Sequence, residues 1–347
     1  MPEGMTADKA LQQASVEGLR KIINSKHPND EEKALTYVNR LKGELEVIKD
    51  RGFSKYFLTM KAIVDKANRV QLTGPGRGSA AGSLVAYALN ITQIDPIKYG
   101  LLFERFLRAD ATDYPDIDYD VAEPMLLKEM LVRDWGENSV VPISNWNTLQ
   151  LRSLIKDISK LYGLPFTEVN KVTSAMIQEA TPEAKKRHGI KAGVYAPTWQ
   201  EVMELSPSLR GFLVKHPDVK THVEALVGQV RSCSRHAGGV LIADNLDEHM
   251  PLINSGGVRQ APWAEGQNVR HLEPLGFIKF DLLGLATLRT IDGAIRHILR
   301  RHKGVANPRF RDVKKFYDET LHPDVIDMDD QNVYKNVFHK GNFVGVF

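Results

Sequence analysis

The 347-residue sequence contains a single cysteine, Cys233, so no disulfide can form within the chain. Such low cysteine usage is typical of proteins from a reducing compartment. No apolar run approaches the ~20 residues needed to cross a bilayer, and the N-terminal residues lack the pattern of a signal peptide. We therefore expect a soluble, cytoplasmic protein.

Two common catalytic signatures are also missing, since the sequence contains neither G-x-x-x-x-G-K-[ST] nor H-E-x-x-H. The net charge of +3 does not by itself indicate a nucleic-acid partner. The distribution of charge says more: residues 95–134 hold ten acidic and five basic side chains, and residues 289–315 hold nine basic and two acidic ones. An acidic segment with a basic segment elsewhere is typical of a metal site beside a nucleic-acid-binding surface. Solvent-exposed helix faces would produce the same basic segment.

Residues 74–89 read as a glycine-rich turn that opens a helix. Gly76 and Gly78 permit backbone conformations with positive φ and a close approach to a ligand. Ser79 is a good N-cap for a helix predicted over residues 80–89. A helix N-terminus presents free N–H groups that suit phosphate, and Arg77 adds a cation with two-pronged hydrogen-bonding geometry.

Carboxylates alternate in a short strand that follows this turn. Because a strand directs alternate side chains to one face, Asp116 and Asp118 should point the same way. Two adjacent carboxylates repel each other unless a cation lies between them, and hard oxygen ligands suit Mg²⁺. A strand predicted over residues 277–283 places Lys279 and Asp281 on one face, where Asp281 needs a partner such as the same metal. The alternative is that Asp281 caps the following turn.

Five motifs together resemble those of the bacterial C-family replicative DNA polymerases, the alpha subunits of DNA polymerase III. They are, in order, GPGRGSAAGSLVAYAL, LLFERFL, PDIDYD, RHAGGVLIA and GFIKFDLLGLATL. Residues 343–347 resemble the point where the fingers of that family begin. Each motif alone is weakly specific, but their order and spacing together are specific.

The resemblance implies an α+β fold, with a nucleotidyltransferase-type, polymerase beta-like palm built on a mixed sheet and a helical thumb inserted in it. The implied domains are a first part of the palm with N-terminal helices (1–143), the thumb (144–230), a second part of the palm (231–288) and an incomplete start of the fingers (289–347). Within these ranges, the periodicity predicts helices over residues 6–26, 30–50, 55–69, 149–162, 166–180, 201–205, 208–215, 219–229 and 287–302. Residues 234–239 read as a compact basic turn before a strand over residues 240–243.

The resemblance also implies roles for particular residues. Two Mg²⁺ ions would be held by the catalytic residues Asp116, Asp118 and Asp281. Nucleotide binding is implied for Gly76, Arg77, Gly78, Ser79, Arg105 and Lys279, and DNA binding for Arg235, His236, Gly238 and Gly239. Two alternatives stay open: Arg105 pairs with Glu104 or another nearby acid, and His236 is a metal ligand.

The implied function is template-directed transfer of dNMP from a dNTP to a primer 3′-hydroxyl, in the cytoplasm or at the nucleoid of a bacterium or a phage-infected cell. Primer–template DNA and dNTP are the expected partners. A second polypeptide supplying the remaining fingers and C-terminal domains is expected too, with a sliding clamp contacting regions outside this chain. The first alternative is a catalytically silent piece of a split polymerase. The second is a smaller nucleotidyltransferase that uses no template.

Overall fold

The computed structural model describes residues 4–110, 114–191, 193–265 and 270–341. The chain divides into two compact units, which we call unit 1 (residues 1–144 and 235–347) and unit 2 (residues 145–234). Among the described residues, no helix is both long enough and apolar enough to span a membrane.

Unit 1 begins with three helices, α1 (Ala7–Lys26), α2 (Glu31–Asp50) and α3 (Ser54–Ala67). Thr6 caps α1 through a 3.4 Å hydrogen bond from the backbone N–H of Lys9, and Asp30 caps α2 in the same way through Lys33 at 3.0 Å. Their apolar positions contribute to the largest core, which also contains side chains of the central sheet. The three helices predicted from periodicity are thereby confirmed.

The glycine-rich segment folds differently from the single helix predicted over residues 80–89. Residues Gly78–Gly82 form a 3₁₀ turn, and α4 (Leu84–Ala88) begins after it. The N-cap is Ser83, whose Oγ accepts from the N–H of Ala86 at 3.1 Å, so the prediction of Ser79 as the cap was wrong. The reason lies in tertiary packing: a Cβ at Gly82 would be 2.6 Å from the carbonyl oxygen of Leu102, so another segment packs against the backbone where a continuous helix was expected.

The described residues contain the strands β1 (Asp118–Val121), β2 (Val140–Thr148), β3 (Val230–Ile242), β4 (Ile253–Ser255), β5 (Val258–Gln260) and β6 (Lys279–Gly284). Four of them form a mixed sheet in the order β1-β6-β3-β2. Strands β1 and β6 are parallel, and β3 is antiparallel to β6. A separate antiparallel pair joins β4 and β5.

Helix α5 (Pro124–Trp135) follows β1 and packs against β6. Unit 2 consists mainly of five helices around its own apolar core, which includes Leu154, Val169, Met176, Leu209 and Val223. The helices are α6 (Leu151–Leu161), α7 (Phe166–Arg187), α8 (Trp199–Leu205), α9 (Pro207–Lys215) and α10 (Pro217–Leu226). The predicted helices of this region are confirmed, with small shifts of their ends and a longer α7.

The chain returns to unit 1 within β3 and continues into α11 (Leu246–His249), α12 (Ala286–His302), α13 (Phe310–Thr320) and α14 (Gln331–Val333). A short π-helical segment, Tyr334–Phe338, follows. Leu288, Ile295 and Leu299 of α12 pack in one apolar cluster with Val313 and Tyr317 of α13. The helix predicted over residues 287–302 is confirmed, whereas the motif at residues 343–347 lies outside the described residues.

The prediction of an α+β fold with a mixed sheet is confirmed. One local prediction was wrong, because residues 234–239 lie within β3 instead of forming a separate turn. Long-range pairing explains the difference, since Gly239 is the register partner of Asp281 on β6. The palm, thumb and fingers assignments and their boundaries stay predictions.

Candidate metal and nucleotide site

Three aspartates lie close together on β1, the edge strand of the sheet, on the neighbouring strand β6 and just before β1. Asp118 opens β1 and is the register partner of Asp281 on the parallel strand β6, while Asp116 lies two residues before β1. One carboxylate oxygen from each of the three lies within 4.8 Å of the others. The structure therefore brings together the three residues that the sequence singled out, two from one segment and one from far along the chain.

One oxygen of this cluster suits a cation. Asp281 is 6% exposed, and among the described residues no donor lies within hydrogen-bonding distance of its buried Oδ1. A buried carboxylate oxygen without a partner is costly, and a bound cation would satisfy it. The donor set consists of carboxylate oxygens only, which is the chemistry that Mg²⁺ prefers. The three aspartates therefore fit a magnesium site.

Lys279 lies beside the aspartates on the same face of β6. Its Nζ donates to Asp281 Oδ2 at 2.6 Å and lies 3.9 Å from Asp116 Oδ1. Burial would lower the pKa of Lys279, but its hydrogen bond to Asp281 and the attraction of the aspartates outweigh this effect and raise that pKa. The ammonium group therefore stays charged and offsets part of the repulsion among the carboxylates.

Burial and the crowding of charges raise the pKa values of the two other aspartates, Asp116 and Asp118. Loss of hydration raises the pKa of Asp118, and repulsion from Asp281 adds to the shift. The same two causes raise the pKa of Asp116, against the attraction of Lys279, although its side chain is 60% exposed. Both shifts have the direction expected of carboxylates that lie close together and are only partly neutralised.

The glycine-rich turn lies next to these aspartates. Gly78 has φ of 63° and a Cβ there would be 3.6 Å from Asp118 Oδ2, while Gly74 must lack a side chain because its Cβ would be 2.8 Å from that of Asp120. The backbone N–H of Gly74 donates to the carbonyl oxygen of Asp120 at 2.8 Å. Gly76, Arg77, Gly78 and Ser79 are all exposed. The turn is therefore fixed to β1 while its outer surface stays open to solvent.

Arg77 makes a contact that its sequence motif does not reveal. Its NH1 donates to Asp120 Oδ1 at 3.0 Å, with side-chain exposures of 41% for Arg77 and 10% for Asp120. Asp120 belongs to the same alternating row as Asp116 and Asp118. The three alternating aspartates therefore have two different roles. Asp116 and Asp118 cluster with Asp281, whereas Asp120 binds Arg77 of the turn.

The N-terminus of α4 does not provide the free N–H groups expected from the sequence. The carboxylate of Glu44, on α2, accepts from the N–H groups of Leu84 and Val85 and from Ser83 Oγ, each at 3.0 Å. Arg40 pairs with the same carboxylate at 2.6 Å. The positive end of this helix is thus neutralised from inside the protein, which leaves the exposed turn of residues 76–79 as the part of the motif open to a ligand.

Arg105 lies in a 3₁₀ turn, Phe103–Arg105, and its side chain is exposed. Within the part of the chain that the structure describes, no carboxylate lies within ion-pairing distance of it, so the alternative pairing with Glu104 is not seen there. The neighbouring side chains of Phe103 and Phe106 are part of the core, which fixes the backbone from which the Arg105 side chain extends.

The residues predicted to bind DNA occupy β3. Arg235 is exposed, whereas Gly238 and Gly239 are buried. His236 Nδ1 accepts from the N–H of Gly239 at 2.6 Å, so the neutral ring carries its proton on Nε2. Among the described residues, His236 belongs to no group of three metal-ligating side chains, so the alternative of a metal-binding histidine gains no support.

Comparisons with known proteins give the family of the chain. The family described as "Bacterial DNA polymerase III alpha NTPase domain" matches residues 9–284. The chain belongs to the DNA polymerase III alpha family. It is 31% identical to the DNA polymerase III subunit alpha of Aquifex aeolicus over 100% of the chain and 29% of that relative. For the subunits of Yersinia pestis and Thermus aquaticus the identities are 32% and 34%, over 97% and 85% of the chain and 26% and 23% of the relatives. The chain thus spans about a quarter of the length of these DNA polymerase III alpha subunits.

Two residues that help to shape this site, Tyr56 and Lys128, were not predicted from the sequence. Tyr56 of α3 accepts from the N–H of Ile117 at 3.1 Å and stacks on Phe280, with 5.0 Å between ring centroids, so it braces both aspartate-bearing strands. Lys128 of α5 donates to the carbonyl oxygen of Ala237 at 2.8 Å. Burial, with the nearby charge of Arg235, lowers the pKa of Lys128 to about 8.

Sequence signals existed for two further residues that were missed. Asp120 continues the alternation of Asp116 and Asp118, and Glu44 falls within the apolar stripe of α2, between Leu41 and Ile48. A carboxylate on an apolar helix face requires a buried partner. For Tyr56 and Lys128 nothing in the local sequence distinguishes them from ordinary helix residues.

Proposed function

We propose that this chain provides the catalytic palm and the DNA-holding thumb of a DNA polymerase of the DNA polymerase III alpha family. The observation that carries the proposal is the partnerless buried oxygen of Asp281 within 4.8 Å of carboxylate oxygens from Asp116 and Asp118. Membership in the family gives the substrate class, which is a dNTP and a primer–template.

In the proposed reaction the primer 3′-hydroxyl loses its proton to water, and its oxygen forms a bond to the α-phosphorus of the dNTP. The bond between that phosphorus and the oxygen bridging to the β-phosphate breaks, and pyrophosphate leaves with the electron pair. Asp116, Asp118 and Asp281 would hold the Mg²⁺ ions. When bound, two Mg²⁺ ions would lower the pKa of the 3′-hydroxyl and balance the charge on the departing pyrophosphate.

The exposed turn of residues 76–79 lies on the same side as these aspartates, as the contact of Gly78 with Asp118 indicates. In the proposal its backbone N–H groups and Arg77 hold the β- and γ-phosphates, and Asp120 keeps Arg77 in place. Arg105 and Lys279 supply two further cations. Lys279 neutralises the aspartates in the absence of metal and donates to a phosphate oxygen when nucleotide is present.

Unit 2 is proposed to be the thumb. It carries twelve Lys and Arg residues against eight Asp and Glu residues, and three cations, Lys185, Lys186 and Arg187, lie in the last turn of its longest helix. Contacts to a duplex backbone require cations and hydrogen-bond donors but no reading of the base sequence. In unit 1, Arg235 and His236 are proposed to contact DNA near the aspartates. Gly238 and Gly239, which are buried, would leave room for the close packing of β3 that positions these two side chains.

The complete activity is proposed to need sequence that the relatives contain and these 347 residues do not cover. The chain spans 23–29% of the length of the relatives described above. A triphosphate in the transition state requires cations on more than one side, and this chain supplies one set of them.

A chimaera tests the proposed function. Residues 9–284 would replace the matching region of the Aquifex aeolicus subunit, and Mg²⁺-dependent primer extension would be measured. We expect extension by the chimaera and none above background when Asp118 or Asp281 is replaced by Asn. Extension by the Asp281→Asn chimaera at the rate of its parent would overturn the proposal. If the chimaera does not fold, the proposal is tested by Mg²⁺-dependent dNTP binding to the 347-residue chain, compared between the unaltered chain and Asp281→Asn.

A further inference from the structure

A second concave surface lies within unit 2, apart from the aspartates. It has a volume of about 520 Å³ and is formed where the end of β2 meets the beginning of β3. Its lining includes Trp146, Asn147, Thr148, Gln150, Arg231 and Ser232. We call this surface the Trp146 pocket. None of its residues belongs to the site proposed above.

The polar side chains of the Trp146 pocket are held in fixed orientations. Asn147 Nδ2 donates to Ser234 Oγ at 3.0 Å and lies 3.4 Å from Ser232 Oγ. Gln150 Nε2 donates to Thr148 Oγ1 at 2.7 Å. These groups are neutral hydroxyls and amides, which are common partners of phosphate and sugar oxygens in protein–DNA contacts.

Among the described residues that line the pocket, Arg231 is the one cation and none is a carboxylate. Arg231 NH1 lies 3.3 Å from Asp157 Oδ2, and their side chains are 55% and 50% exposed. An ion pair this exposed is weak, so Arg231 can exchange Asp157 for a phosphate at little cost. The pocket therefore favours an anionic, hydrogen-bonding ligand.

Trp146 adds an aromatic surface to this polar pocket. Its side chain is 40% exposed, with exposed Asn145 and Asn147 on either side of it. The backbone around it is fixed, because the N–H of Leu149 donates to Gln229 O at 2.8 Å and Ser234 Oγ donates to Asn145 O at 3.3 Å. An exposed indole on a rigid strand, next to phosphate-binding groups, matches the stacking platforms of proteins that bind single-stranded nucleic acid.

We infer that the Trp146 pocket binds single-stranded DNA, with an unpaired base stacked on Trp146 and the adjoining phosphates on Arg231, Asn147 and Thr148. A duplex does not fit this role, because its bases are already stacked on their neighbours and present only their edges. The choice of DNA as ligand rests on the proposed polymerase function, whereas the site itself makes no use of the aspartates.

The test is a titration of the whole chain with a short oligothymidylate, followed by tryptophan fluorescence and by the anisotropy of a labelled copy of the oligonucleotide. We expect binding to quench tryptophan emission. Trp146→Ala should abolish most of the quenching and weaken binding at least about 5-fold, the lower end of the effect of losing one base–aromatic stack. Trp263→Ala, in unit 1, serves as the control and should leave both readings unchanged.

Arg231 provides an independent measurement through salt. Each phosphate contact to a single strand adds about 0.7 to the slope of log affinity against log salt. Arg231→Gln should reduce that slope by about this amount. Arg187→Gln is the matched control, because Arg187 is also a surface arginine of unit 2 in an ion pair, with Glu204 at 2.7 Å. It should leave the slope unchanged.

Several outcomes would overturn the inference: no binding of the oligothymidylate, unchanged affinity and quenching in Trp146→Ala, or equal quenching by a blunt duplex. An equal loss of slope in the two arginine variants would also do so. Asp281→Asn separates this inference from the proposed function, since it should remove primer extension from the chimaera and leave oligothymidylate binding by the chain intact. If the chimaera extends primers but the 347-residue chain does not bind the oligothymidylate, the inference is wrong and the polymerase proposal is unaffected.

Discussion

Glu44 Oε1 accepts a 3.0 Å hydrogen bond from the backbone N–H of Leu84, the first residue of α4. The same carboxylate serves Val85 and Ser83, and its side chain is only 1% exposed. Burial raises the pKa of Glu44, against these hydrogen bonds and Arg40, which favour the charged form. A buried glutamate of α2 thus organises the start of the helix that follows the glycine-rich turn.

Replacing Glu44 should destabilise the fold strongly. Glu44→Ala leaves two buried N–H groups and a hydroxyl without their acceptor, and it leaves Arg40 without its carboxylate. We expect a loss on the order of 3 kcal/mol in the free energy of unfolding, measured by urea denaturation. Glu46→Ala, at an exposed position of the same helix, should change it by less than about 0.5 kcal/mol. Equal effects of the two substitutions would contradict this account of the turn.

Lys279 should oppose metal binding and favour nucleotide binding. Its ammonium group lies 2.6 Å from Asp281 Oδ2, so Lys279→Gln removes a positive charge from the edge of the metal site. We expect the affinity for Mg²⁺ without nucleotide to rise several-fold and the affinity for dNTP with Mg²⁺ to fall, both by calorimetry. Lys61→Gln, which alters a lysine paired with Asp65 on α3, is the control. A parallel fall of both affinities would show that Lys279 only supports the fold.

Asp120 and Arg77 should act as a unit in nucleotide binding. Asp120→Asn leaves the backbone contact with Gly74 in place but weakens the hold on Arg77. We expect each of Asp120→Asn and Arg77→Gln to weaken dNTP binding several-fold, and the double variant to be little worse than Arg77→Gln. The coupling in such a cycle should be about 0.5–3 kcal/mol. Simple addition of the two effects would mean that Asp120 does not act through Arg77.

Unit 2 contains a pH-sensitive cap. Glu201 accepts from the N–H of Thr198, and this contact is the main cause that lowers the pKa of Glu201 to about 2, with help from His188 and Tyr195. A depressed carboxyl pKa stabilises the folded state above the unfolded value of 4.5, and the gain is lost as pH falls towards 2. The difference in melting temperature between the unaltered chain and Glu201→Gln should therefore shrink over that range.

The comparison variant for this experiment is Glu224→Gln, which changes an exposed glutamate on α10. Its melting temperature should follow that of the unaltered chain at every pH. A difference between the unaltered chain and Glu201→Gln that stays constant from about pH 6 to about pH 2.5 would rule out the cap as the source of the pH dependence.

Strand alternation was sufficient to predict part of the site. It placed Asp116 with Asp118 and Lys279 with Asp281, and these pairs do share their faces. The parallel pairing that sets Asp118 opposite Asp281 joins segments far apart in the chain, and no local pattern specifies it. The need of the buried Asp281 carboxylate for a partner, together with the resemblance to a family, suggested that the two strands meet.

The failed predictions have a common physical cause. Residues 80–89 have helical propensity, but the backbone at Gly82 lies against Leu102, so packing between distant segments decides the local conformation. Residues 234–239 contain the glycines of a turn, yet pairing of Gly239 with Asp281 keeps them in a strand. In both places contacts that are distant in sequence override a local preference.

The central claim is that Asp116, Asp118 and Asp281 form a metal site for nucleotide. The most direct measurement is the affinity of the 347-residue chain for a fluorescent dNTP analogue with and without Mg²⁺, compared between the unaltered chain and Asp281→Asn. We predict binding that depends on Mg²⁺ in the unaltered chain and is lost in Asp281→Asn, while Asp65→Asn on α3 behaves normally. Mg²⁺-dependent binding of equal affinity in Asp281→Asn would contradict the account.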